Sequence, residues 1–120
     1  MTYQEMFDKV CAHLLTQNKK AMDYEGICRY RSDDGTKCAI GCLIPDDLYE
    51  KELEGKGVRE LILSEFKFSS YLQQFDLKFL IALQATHDCT SPSKWYTELE
   101  KVAVRFNLTF NPPKLQSETV

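Results

Sequence analysis

The chain has 120 residues, of which 43% are apolar and 28% charged, with a net charge of −3. That length suits one domain with a core of its own, and the composition excludes wholesale disorder, collagen and coiled coil. No apolar run approaches the roughly 20 residues of a membrane-spanning helix. The longest covers residues 79–83.

Charge is uneven along the chain. Residues 1–60 carry 9 Lys/Arg against 12 Asp/Glu, and the second half is neutral. Without a basic field, binding to nucleic acid or to an anionic membrane is disfavoured. The N-terminal stretch MTYQEMFDKV lacks the basic-then-apolar build of a secretory signal, so a cytoplasmic protein is expected. Five cysteines make an odd count, which argues for reduced thiols rather than a disulfide framework.

The first element is an amphipathic helix. Tyr3, Met6, Phe7, Val10, Cys11, Leu14 and Leu15 recur at spacings of three and four. Thr2 with Glu5 has the form of a capping box. Cys11 lies in the apolar stripe, and His13 lies off its centre as a rim residue. A β-hairpin is then expected at about 27–40, where alternating residues flank Asp34 and Gly35. The run 38–44 is apolar all round, which leaves strand and helical turn open.

Pro45, Asp46 and Asp47 suit a helix start, and Gly55 suits its end. On a helix, Asp46, Asp47, Glu50 and Glu54 fall on one strip, with Leu48 and Leu53 turned inward. A further helix is predicted from about Val58. Residues 76–88 predict a helix with almost no polar face, hence a buried central one. Ser91 and Pro92 open a last amphipathic helix carrying Trp95, Tyr96, Leu99, Val102, Ala103 and Phe106. One globular domain over 1–110 is expected, followed by a flexible tail at 111–120. The expected class is α+β, four or five helices with the small hairpin; an all-α domain with an irregular loop there is the alternative.

Several constellations carry candidate chemistry. Cys38 and Cys42, with Cys28, His87 and Cys89, offer soft metal ligands. On a helix the i,i+4 pair stands about 5–6 Å apart at Cβ, close enough to share zinc. On a strand it stands about 13 Å apart, and close Cys-x-x-Cys pairs are lacking. No metal and no cofactor is expected. Nucleophilic catalysis would use Cys38 or Cys42 with His87 as base and Asp88 behind it. Adjacent helical residues diverge by about 100°, and burial makes a thiol inert, so both observations weigh against this. The loop 32–35 lacks the alternate ligands of a calcium site. Glu118, Thr119 and Val120 have their hydroxyl one position away from the common carboxylate-capture form.

The central motif runs Cys28-Arg29-Tyr30-Arg31, then Asp34-Gly35-x-Lys37-Cys38-Ala39-Ile40-Gly41-Cys42-Leu43-Ile44-Pro45-Asp46. With the first helix, the later Leu83-Gln84-x-x-His87-Asp88 and Trp95, it resembles a family of small uncharacterised proteins of tailed phages and prophages. The resemblance covers roughly residues 5–108, a single domain. It implies an accessory protein in the host cytoplasm that binds a host or counter-defence protein, with no reaction attached. The expected function is therefore non-catalytic binding, with Asp46, Asp47, Glu50 and Glu54 as the partner-facing strip. The alternative is a small-ligand or metal site at Cys38, Cys42, His87 and Asp88, and a cysteine-dependent enzyme comes third.

Overall fold

The capping box forms as the sequence predicts: Thr2 Oγ1 accepts the Glu5 N–H at 3.1 Å, and Glu5 accepts the Thr2 N–H at 2.9 Å. It opens α1 (Tyr3–Gln17), the first of five α-helices in the computed structural model, which describes residues 1–113. The others are α2 (Val58–Leu63), α3 (Lys67–Leu72), α4 (Leu77–Cys89) and α5 (Trp95–Arg105). Four short 3-10 turns, Gly41–Leu43, Asp46–Leu48, Lys51–Leu53 and Pro92–Lys94, complete the regular structure of the described residues.

The core gathers where α1, α4 and α5 meet. Phe7, Val10 and Leu14 of α1 pack with Phe79, Leu80 and Leu83 of α4 and with Trp95 and Leu99 of α5, all eight fully buried. Each such side chain stabilises the fold by about 1.5–3 kcal/mol through its removal from water. α4 is central, as expected, but not buried all round. Ile81 is 40% exposed, and Gln84 and Asp88 lie on the same outward side. Phe110 packs against Phe7 and Tyr96, so the domain continues to that residue. Of the expected tail, residues 114–120, with Glu118, Thr119 and Val120, lie outside the described residues.

The expected α+β class does not hold. Among the described residues there is no strand, only two isolated antiparallel bridges, Met22 with Cys28 and Arg31 with Lys37. Asp34 and Gly35 do form a tight turn, with Gly35 at φ +90°. The ladder stops after one bridge because the chain bends into the Gly41–Leu43 turn, where Gly41 lies against the Tyr30 carbonyl. A Cβ there would come within 2.7 Å of the Tyr30 carbonyl carbon, so only glycine permits the approach.

Two twin loops stand in place of the hairpin. In the first, Asp23 N–H donates to Ile27 O, Gly26 N–H to Asp23 O, and Arg29 N–H to Ala21 O. In the second, nine residues on, Ser32 N–H donates to Thr36 O, Gly35 N–H to Ser32 O, and Cys38 N–H to Tyr30 O. The hydrogen-bond register is the same in both, and each has a positive-φ glycine at the same place.

Segment 46–54 is not the single helix predicted. It makes two 3-10 turns separated by extended Tyr49 and Glu50. Leu53 is fully buried and Leu48 packs against the core, as their spacing implies. Glu54 turns inward instead of joining a surface strip.

Candidate functional site

At equivalent backbone positions, Tyr30 of the second loop and Ala21 of the first, each twin loop meets a polar side chain. Glu54 Oε1 accepts the Tyr30 N–H at 2.8 Å, its Oε2 accepts the Arg31 N–H at 3.0 Å, and Tyr49 Oη donates to it at 2.6 Å. His87 Nε2 accepts the Ala21 N–H at 2.9 Å. An amide N–H only donates, so Nε2 must be the unprotonated ring nitrogen. The hydrogen then sits on Nδ1, which meets Asp88 Oδ1 at 2.6 Å. The ring is fully buried and stacks on Trp95 with centroids 5.5 Å apart.

Asp88 extends this network. Gln84 Nε2 donates to both its oxygens at 3.1 and 3.2 Å, and Gln84 Oε1 accepts the Ile40 N–H at 3.0 Å. Lys20 Nζ donates to its backbone carbonyl at 3.1 Å. Burial opposes ionisation of Asp88, but the hydrogen bonds from His87 and then Gln84 outweigh it and hold its pKa below the usual value. The expected divergence of His87 and Asp88 is overturned, because in the last turn of α4 the two side chains bend toward each other.

Around this network opens a cleft of about 540 Å³. Ile27 to Tyr30, where the first loop runs into the second, form one wall, the strap 54–59 the second, and Ile81, Gln84, Asp88 and Cys89 of α4 the third. Tyr30 Oη donates to Lys56 O at 2.6 Å and ties the first wall to the second.

The cysteines divide differently from the sequence expectation. Cys28 and Cys89 line the cleft, whereas Cys38 and Cys42 do not. Cys38 is fully buried, with burial pushing its thiol pKa up, and its Sγ accepts the Gly41 N–H at 3.2 Å. Cys42, half-buried, donates to Ala39 O at 3.1 Å, and burial raises its pKa to about 12. Of the predicted pocket Cys38, Cys42, His87 and Asp88, only the last two meet directly.

Cys28, His87 and Asp88 bring their ligand atoms within 4.8 Å of one another. As a metal centre the group is miscast at histidine. A metal on Nδ1 would put the hydrogen on Nε2, facing the Ala21 N–H donor for donor; a metal on Nε2 would displace that N–H. As a nucleophile site it also fails. Burial first, and the Asp88 carboxylate second, raise the Cys28 pKa, while the lone pair of His87 is already engaged by Ala21.

The acidic residues separate. Asp46 pairs with Arg31 at 2.9 Å, Glu54 serves the loops, and Asp47 and Glu50 stay exposed beside a second hollow that includes Phe66 and Lys67. His13 Nε2 meets Lys37 O at 2.7 Å and bonds the second loop to α1. Sequence reasoning missed the strap and the first loop. The recurrence of glycine three residues after Asp23 and after Ser32 was the available signal.

No protein-family model matches the chain, and no curated protein or solved structure does. No described helix is long and apolar enough to cross a membrane.

Proposed function

We propose that this is a non-catalytic binding protein, a phage-type accessory protein that acts by occupying a macromolecule of the host or of its defences. One observation carries this reading. Tyr24, 95% exposed, and Ile27, 57% exposed, sit on one braced loop, and Ile27 lines the cleft. Asp23 Oδ1 accepts the N–H groups of Glu25 at 2.8 Å and Ile27 at 3.0 Å, and Gly26 closes the turn at φ +82°. Tyrosine is enriched among the few residues that dominate protein interfaces, and a backbone fixed beforehand loses little freedom on binding. His87, Asp88 and Glu54 beside the cleft are engaged internally, which supports recognition over reaction.

The test is site-specific photo-crosslinking in bacterial lysate. With a benzophenone amino acid replacing Tyr24, a discrete crosslinked product is expected. The same probe replacing Val104, exposed on α5 and outside the cleft, should give none. Equal products from both positions, or none from either, would contradict the reading.

A further inference from the structure

We propose that the cleft takes an extended acidic segment of a partner protein, its carboxylates meeting Lys56 and Arg59 and its apolar side chains lying against Ile27 and Ile81. This rests on the binding reading above and names the chemistry of the partner.

The charge distribution points to an anion. The protein is net negative, yet the cleft walls bring Arg29, Lys56 and Arg59 together against only Glu54 and Asp88. Both acids are engaged inside the fold. Glu54 accepts two backbone N–H groups and the Tyr49 hydroxyl, and Asp88 accepts from Gln84 and meets the His87 ring nitrogen. Arg29 reaches Glu54 only at 3.8 Å. Lys56 and Arg59 make no ion pair among the described residues. The walls therefore carry a net +1, three cations against two carboxylates, and Lys56 and Arg59, outside any ion pair of the described residues, are the groups that complement a carboxylate-bearing ligand.

The strap suits a chain more than a compact molecule. Added Cβ atoms on Gly55 and Gly57 would meet nothing within 4 Å, so the backbone is open to close approach. No hydrogen bond among the described residues engages the N–H groups of Gly55, Lys56 or Gly57. An extended segment can bring its carbonyls to such donors while its side chains reach the apolar walls. A nucleic acid fits less well. The one aromatic ring on the walls, Tyr30, is only 5% exposed and offers no stacking face for a base.

The experiment is selection of a random short-peptide display library on the full chain, followed by fluorescence polarisation of the enriched peptide. The expected consensus carries Asp or Glu together with an apolar residue. Replacing its acids by amides should weaken binding about tenfold, and so should Lys56→Glu with Arg59→Glu, whereas Lys78→Glu outside the cleft should not. Both reversed positions lie on the surface strap, and an unchanged circular dichroism spectrum certifies their folding. A neutral or basic consensus, no enrichment, equal binding by the double variant, or preference for a single-stranded oligonucleotide would each overturn the inference. A crosslink from position 24 to a protein that makes no acidic contact would leave the binding reading standing and sink this one alone.

Discussion

His87 and Ala21 stand 66 residues apart in sequence, and the ring nitrogen of one accepts the backbone N–H of the other in a fully buried setting. That bond anchors the start of the first twin loop to α4. Replacing His87 by phenylalanine keeps the ring against Trp95 but leaves the Ala21 donor without an acceptor. The expected cost is about 1–3 kcal/mol, the desolvation penalty of an orphaned buried donor. Urea unfolding measures it, and nitrogen NMR of the ring should find the hydrogen on Nδ1. An unchanged unfolding midpoint, or a hydrogen on Nε2, would remove the anchor.

The depressed pKa of Asp88 fixes a sign for acid stability. A carboxyl whose folded pKa lies below its unfolded value, about 3.9, contributes stability that is full above that value. The contribution is lost as pH falls through the folded pKa. The parent protein should therefore lose stability below about pH 4 more steeply than Asp88→Asn does. Parallel loss in the two proteins would show that Asp88 titrates without these bonds.

Gly41 has no room for a side chain, because a Cβ would overlap the backbone carbonyl of Tyr30. Backbone on both sides leaves nothing flexible to yield. Gly41→Ala should cost about 3 kcal/mol, at the upper end of overpacking effects, and Gly41→Val at least as much. A melting temperature equal to that of the parent would mean that the two segments do not touch.

Helical spacing places Glu54 and Asp47 on one acidic strip, yet their surroundings in the fold differ. Glu54→Ala strips acceptors from the Tyr30 and Arg31 N–H groups and from the Tyr49 hydroxyl, so a loss of about 2–4 kcal/mol is expected. Asp47→Ala, at an exposed carboxylate outside any ion pair of the described residues, should stay within about 0.5 kcal/mol. Similar losses in the two variants would contradict the inward placement of Glu54.

Periodicity and caps made the helices legible. The stripe from Tyr3 to Leu15 behind Thr2, and the one from Trp95 to Phe106, follow from spacing alone. The hairpin misled because a turn signal specifies the turn and not the length of its ladder. Here Gly41, ten residues beyond Arg31, ends the pairing by folding back onto Tyr30. The 46–54 segment misled because its charges fit a helix surface, whereas two buried-side N–H groups of the second loop claim Glu54. Mean helical angles argue against a pairing of His87 with Asp88, but they ignore the rotation available to each side chain, and the two meet at 2.6 Å. The cleft itself was invisible, since its three walls come from residues 27–30, 54–59 and 81–89 and no local pattern joins them.

The most direct test of the binding account is amide NMR of the labelled protein during titration with a peptide enriched on it. Shifts should concentrate at residues 24–30, 54–59 and 81–89, the exposed loop and the three walls of the cleft. Shifts centred instead on Asp46, Asp47 and Glu50, with the cleft silent, would contradict the account and return the partner-facing surface to the acidic segment.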